Sequence, residues 1–404
     1  MNPVRKAWRV FRKQGLRAVV QKSVIRIFPF APATPTLVNY EDALAVDWRT
    51  PHPSALSPRP TTQPPYTIAW IMSPPGANSG GHQNIFRFIR FLEEAGHRVR
   101  IYLYSNISPD SAAEVRARVA SSSSFPAVDA TIEQYPADGV PDDVDAIVAT
   151  AWETAYPAYR DRSTARRFYF VQDFEPLFYQ TSTEALLAEN TYHFGFTGLT
   201  AGAWLATKLH ADYGMTTNAF AFGADERHYS ITNTARRDGV FFYARPETPR
   251  RGFELGMMAL DLLSRERPGT PIIMAGQKLR HVTVPFPHEN PGNVQVAELN
   301  GIYNRCAAGL VLSLTNMSLL PLELLSAGVI PVVNDGENNR LVSDNAFIEY
   351  TQPSPRALCD SLLAILDRQD QHEHAVRAAA SVGASTWAHS GEQFLAAFEG
   401  GMRG

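Results

Sequence analysis

Two parallel α/β domains in tandem, each a doubly wound sheet, are the fold class this sequence predicts. Three observations predict it. Short apolar runs alternate with amphipathic helical patterns along most of the chain. The alternation stops at a polar stretch, ERHYSITNTARR (226–237), and then starts again. The 404 residues, 45% hydrophobic and 19% charged, suffice for two domains of about 150–200 residues each.

The elements follow in order. YTIAWIM (66–72) is wholly apolar, as a strand covered on both faces must be. SPPGANSGGH comes next, then QNIFRFIRFLEEAG, where Ile85, Phe88, Ile89 and Leu92 share one helical face and Gly96 ends the helix. HRVRIYLY is the second strand. Strand, glycine turn, helix, strand is the opening unit of a doubly wound sheet. AIVATAW (146–152) and RRFYFVQDF (166–174) read as further strands, TYHFGFTGLT as a strand, AGAWLATKLHADYG as a helix, and NAFAFGAD closes the first domain.

GVFFYAR opens the second series. Helix FELGMMALDLLSRE, strand PIIMAG, strand NVQVAEL, helix NGIYNRCAA, strand GLVLS, helix LLPLELLSA, strand VIPVV and helix PRALCDSLLAILDRQ follow. STWAHSGEQFLAAFEGG is a last amphipathic helix with Trp387, Phe394 and Phe398. The expected division is an N-terminal segment and linker at 1–65, a first domain at 66–225 to which 386–404 return, and a second domain at 238–385.

Composition excludes several classes. A net charge of −3 gives no basic field for nucleic acid. The only two cysteines, Cys306 and Cys359, both fall in patterns read as helix, which argues against a disulfide framework and fits a cytoplasmic location. No uncharged apolar run approaches the roughly 18–20 residues of a membrane span, and charges interrupt every early apolar run, so no signal peptide is expected.

Residues 1–40 hold eight Lys/Arg (Arg5, Lys6, Arg9, Arg12, Lys13, Arg17, Lys22, Arg26) and no acid. Val4, Ala7, Trp8 and Phe11 share a helical face there. Two readings stay open: an anchor on an anionic membrane surface, or a helix packed on the protein's own body. Six prolines in 51–65 mark a linker. Asp143 and Asp145 form an Asp-x-Asp, but they precede a strand, so a solvated turn is expected rather than a metal site.

The chemistry centres on SLTNMSLLPLELLSAGVIPVV (313–333). A strand ends, a polar turn follows, and a helix begins with Ser318 as expected N-cap, Pro321 in its first turn and Glu323 as its one acid. A strand, turn and helix N-terminus at a sheet edge form a ready anion site. Gly80 and Gly81 offer a second such approach, without the G-x-G-x-x-G of a dinucleotide site. Arg245 and Arg251 follow an apolar strand and would supply cations, with Arg250 as their solvated neighbour. Asp173 and Glu175 follow a strand among Phe174, Phe178 and Tyr179, where a carboxylate could act on an acceptor hydroxyl. Trp152, Glu153 and His82 are further candidates on that side.

These residues resemble a family. AR(x)₅RGFEL at 244–255 is similar to the Gly-Arg-(x)₅-Lys-Gly of family-4 glycosyltransferases, with Arg245 and Arg251 in the basic slots. FGADERHY (222–229) resembles their domain-crossing Gly-Val-Asp-x-x-x-Phe, and GGH…GHRVRIY their N-terminal Gly-Gly loop and following strand. The 313–333 stretch resembles their Glu–seven–Glu motif with Glu323 as second acid. The likeness covers about residues 66–400. YFVQDFEPLFY (169–179), AWE (151–153) and ARPETPRRGFELG resemble more narrowly the WsaF-type bacterial rhamnosyltransferases, which build surface polysaccharides from dTDP-L-rhamnose.

The resemblance implies a GT-B fold: two Rossmann-like domains facing a central cleft, with the last helix crossing back to the first. It implies a glycosyltransferase that uses a nucleotide-sugar donor, needs no metal or other cofactor, retains anomeric configuration and takes a glycan or lipid-linked acceptor; the basic N-terminus would place it at the inner face of the cytoplasmic membrane. Gly80, Gly81, Arg245, Arg251, Leu299, Thr315, Ser318, Leu319, Leu320 and Glu323 would bind the donor. Asp173, Glu175, Arg245 and Arg251 would carry catalysis. His82, Trp152 and Glu153 would face sugar or acceptor. One departure stands out: Thr315 occupies the place of the family's first Glu. Two rivals remain at this stage, a non-catalytic GT-B scaffold that binds nucleotide or glycan, and a GT-B sugar-nucleotide epimerase.

Overall fold

The structure is a computed structural model that describes residues 36–50, 63–76, 79–122, 125–225, 227–317 and 319–403. The basic segment with Val4, Ala7, Trp8 and Phe11, residues 51–62 of the proline-rich stretch, and Ser318 lie outside the described residues.

Two parallel sheets form the two domains. The first has seven strands: β1 (Thr67–Met72), β2 (Arg98–Leu103), β3 (Thr131–Gln134), β4 (Ala146–Ala149), β5 (Arg166–Val171), β6 (Thr197–Ala201) and β7 (Thr217–Phe220). Their order is β3-β2-β1-β4-β5-β6-β7. The second has six: β8 (Gly239–Tyr243), β9 (Ile272–Ala275), β10 (Glu289–Gly292), β11 (Cys306–Val311), β12 (Ile330–Asn334) and β13 (Glu349–Thr351). Their order is β10-β9-β8-β11-β12-β13. All central strands are buried along their length, because helices cover both faces of each sheet. In both sheets the order reverses beside the first strand, between β1 and β4 and between β8 and β11. Ligands of open α/β sheets bind outside the carboxyl ends of the strands at such a reversal.

The helix Trp387–Arg403 returns to the first domain, as the sequence suggests. Phe394, Phe398 and Met402 join that domain's core, and Phe394 lies 4.6 Å from Phe88 of the helix Gly80–Glu94. Burying each phenylalanine contributes roughly 1.5–3 kcal/mol. The chain crosses between domains twice at one place: Ala224 bridges Thr386.

Several expectations need correction. NVQVAEL is not a strand; β10 lies just before it, and the helix Val296–Tyr303 starts within it. The alternating V-Q-V imitates a strand, but Gln295 and Glu298 form a capping box that starts a helix. That helix ends at Tyr303, so Cys306 opens β11 instead of sitting in a helix. Strand β4 stops at Ala149, and Trp152 and Glu153 open the helix Trp152–Arg160. Gly80 and Gly81 form the first turn of a helix, not a loop. The helix Ala112–Ser121 and strand β3 had no counterpart in the sequence pattern: only Val115 of that helix is buried.

Candidate active site

Both reversal points face one cleft, and the loops that leave them carry the site. In the second domain, β8 runs into Ala244–Arg251 and β11 into Leu312–Leu319. Arg245 donates to Tyr243 Oη at 3.2 Å, and Arg251 donates to Ser313 Oγ at 2.8 Å. Among the described residues neither arginine has a carboxylate within ion-pair distance. The short turn Pro249–Arg251 is held by Arg250 O, which accepts Leu314 N–H at 2.9 Å. The two loops are therefore one unit.

Arg250 is not a solvated neighbour. Its guanidinium lies 3.9 Å over the Phe178 ring and its Nε 3.5 Å from Asp173 Oδ2, both in the first domain. Nε is buried and has no hydrogen-bond partner. Burial pulls its pKa down, Asp173 opposes that, and the charges of Arg251 and Arg245 add to the lowering. Three guanidiniums thus share one field, and one carboxylate, Asp173, stands within ion-pair distance of Arg250 alone.

Asp173 leaves β5 and is 8% exposed. Its Oδ1 accepts Phe174 N–H at 2.9 Å and Asn316 N–H at 2.8 Å, and its Oδ2 accepts the Thr315 hydroxyl at 2.9 Å. Burial raises its pKa, against Arg251, the Asn316 amide, Arg250 and Thr315. Asn316 completes the crossing by donating to Gln172 O at 3.0 Å and Ala201 O at 2.9 Å. Gln172 in turn donates to Gly81 O at 3.1 Å and accepts from Asn84 at 3.0 Å. Gln172 and Asn316 carry no charge and match no motif, so nothing in the residue pattern singles them out.

Glu175 is buried behind the cleft. Its Oε2 accepts Trp152 N–H at 2.6 Å and Tyr169 Oη at 2.9 Å, so it caps the helix Trp152–Arg160 from outside. Burial first, then the charge of Glu153, push its carboxyl up to about 8. Glu153 is half-buried, its carboxyl also raised by burial, and no described side chain pairs with it. Trp152 is buried and donates through Nε1 to Tyr179 Oη at 2.8 Å.

His82, in the first turn of the helix Gly80–Glu94, uses both ring nitrogens on the segment just before it. The Ser73 carbonyl can only accept, so Nε2 carries the hydrogen toward it at 2.9 Å, and Nδ1 accepts from Ser79 Oγ at 2.8 Å. Burial lowers its pKa, which keeps the ring neutral. Gly80 has open space where a Cβ would stand, and Gly81 meets only Gln172 Nε2 at 3.5 Å.

The helix Leu320–Ser326 begins with Leu319 at its cap position, in helical conformation and without a side-chain cap. Leu320 is buried and Leu319 half-buried. Leu299 packs half-buried on the second core. Glu323 Oε2 accepts Tyr303 Oη at 3.3 Å, and burial raises its carboxyl to about 7, opposed by Tyr303, Tyr229 and Arg87. Arg87 comes from the first domain, where it covers Trp387 at 3.7 Å and lies 3.9 Å from Asp225.

The site can hold an anion with its arginines, and hydroxyls with Glu323 and Glu153, on opposite walls of one cleft. Among the described residues no three His, Cys, Asp or Glu gather where they could hold a metal ion.

Known proteins agree with this architecture. Residues 238–363 match the C-terminal domain of WsaF and residues 139–199 its N-terminal domain. The O-antigen biosynthesis protein RfbC of Myxococcus xanthus is 31% identical over 306 residues, 72% of this chain and 23% of that protein. The chain therefore spans about a quarter of that relative's length. Sucrose-phosphate synthase from Thermosynechococcus elongatus superposes with a TM-score of 0.62 at 11% identity, over 83% of this chain and 98% of the other. A glycosyltransferase from Rickettsia africae gives 0.59 at 11% identity, over 84% and 99%. Both WsaF domains are matched in their own order on two parallel sheets, so the chain has a GT-B fold and is similar to the WsaF-like glycosyltransferases.

Proposed function

We propose that the chain transfers a sugar from a nucleoside-diphosphate donor to a hydroxyl of a cell-surface glycan or its lipid-linked precursor. One observation carries this: Arg245, Arg250 and Arg251 gather at the second domain's strand reversal, with only Arg250 within ion-pair distance of a carboxylate. Breaking the bond between anomeric carbon and phosphate leaves negative charge on the departing diphosphate. Fixed cations in a water-poor cleft stabilise that charge by a few kcal/mol each, on the order of what oxyanion donors supply elsewhere. In this reading no metal is needed. Glu323 accepts ribose hydroxyls, and the helix start at Gly80 and Gly81 faces the donor from the other wall.

Glu153 is the acceptor-side carboxylate in this scheme. Asp173 already accepts three hydrogen bonds, and Glu175 is committed to Trp152 and Tyr169. The donor we favour is dTDP-β-L-rhamnose with retention, on the resemblance of residues 169–179 to rhamnosyltransferases and on the O-antigen role in the relative's name. The basic residues at 1–40 would hold the enzyme at the inner membrane surface, although no described helix is long and apolar enough to cross a membrane.

The test is a panel of dTDP-, UDP- and GDP-sugars, scored by thermal shift and by nucleotide release with and without a glycan acceptor. Selective stabilisation by dTDP-rhamnose and acceptor-stimulated release support the proposal. Release from UDP- or GDP-sugars alone overturns the donor. Tight binding with no release makes the protein a binding scaffold.

A further inference from the structure

We infer that Asp173 is a positioning residue, which from the first domain assembles the cation cluster of the second. The inference rests on the arginines being the donor's anion site. Four partners meet on this carboxylate. One, Phe174 N–H, is local, and three cross the cleft: the Thr315 hydroxyl, the Asn316 amide and the Arg250 guanidinium. The three fix different things. Asn316 and Thr315 set the turn whose Ser313 hydroxyl receives Arg251. Ser313 Oγ in turn donates to Asn316 O at 2.8 Å, so the turn's shape and the Arg251 contact depend on each other. Arg250 is drawn away from Arg245 and Arg251, whose charges repel it, and is stacked on Phe178.

Separated domains would strip Asp173 of all three partners at once. Arg250 would lose both its counter-charge and its aromatic platform. Three adjacent cations with no carboxylate repel one another, so the cluster takes its shape only in the closed form. Asp173 thus acts through Arg250 and the 313–317 turn and makes no contact with the donor itself. The same contacts engage both of its oxygens within the protein.

The experiment uses the full chain, with hydrogen exchange of the peptide spanning 312–317 and calorimetric titration of dTDP and UDP. Asp173→Ala should speed exchange of the Asn316 amide and weaken diphosphate binding roughly tenfold, the loss of one charge-assisted contact. Arg250→Ala should weaken binding by a similar factor, and adding it to Asp173→Ala should cost little more, because the two act as one unit. Thr315→Val should reproduce part of the loss and Thr315→Ser restore it, which a change in overall stability would not do. Unchanged Asn316 exchange in Asp173→Ala, or losses that add in full in the double variant, overturns the inference. If the unaltered protein binds neither diphosphate, the anion-site reading fails and the inference falls with it. Accelerated Asn316 exchange in Asp173→Ala would then mark Asp173 as a domain contact alone.

Discussion

Thr315 of the second domain donates its hydroxyl to Asp173 Oδ2 of the first at 2.9 Å. A glutamate at 315 would instead set carboxylate against carboxylate in a buried place, where two like charges cannot both ionise. Threonine at 315 and aspartate at 173 therefore belong together.

Thr315→Glu should destabilise the closed arrangement at neutral pH by about 1–3 kcal/mol, the cost of a buried group left without its partner. Urea denaturation at pH 7 measures this. Adding Asp173→Asn should recover most of the loss, because the amide can donate to the new carboxylate. A double variant no more stable than Thr315→Glu alone would show that the two side chains do not meet.

Glu175 makes stability fall as pH rises. Its carboxyl is pushed from the ordinary 4.5 up to about 8, so the folded chain holds a proton there that the unfolded chain has lost. The stabilisation is full below 4.5 and is lost as pH rises through about 8. Glu323, raised to about 7, adds a smaller drop of the same sign. Glu175→Gln keeps an oxygen for Trp152 and Tyr169 and should flatten the decline of Tm across that window. An unchanged Tm profile would mean the carboxyl titrates normally.

Gly223 is where the returning chain presses closest. A Cβ there would stand 2.4 Å from the Thr386 carbonyl carbon and the Trp387 nitrogen, both backbone. Gly223→Ala should cost about 1–3 kcal/mol and loosen the helix Trp387–Arg403, seen as faster proteolysis near residue 385. Gly400→Ala, in the same helix with open space around it, should be neutral or stabilising by up to about 1 kcal/mol. Equal effects from the two variants would refute a steric cause at 223.

The fold was legible because buried parallel strands leave continuous apolar runs such as TIAWIM and IPVV. Where a helix presents little apolar surface, as at Ala112–Ser121, no such pattern exists. The cations at 245 and 251 were legible from type and spacing. Arg250, Gln172 and Asn316 were not, because their roles come from the approach of the two domains. One-dimensional spacing also cannot tell a carboxylate with no described side-chain partner, such as Glu153, from one with both oxygens accepting hydrogen bonds, such as Asp173.

The central claim is that the arginines at the β8–β11 reversal hold the diphosphate of a sugar donor. Calorimetric titration of dTDP into the unaltered protein and into Arg245→Ala and Arg251→Ala tests it most directly. The account predicts binding that each substitution weakens about 10–100-fold, as expected for removing a charge-assisted hydrogen bond of roughly 1.5–3 kcal/mol. Undiminished binding in both variants, with the fold intact, would contradict it.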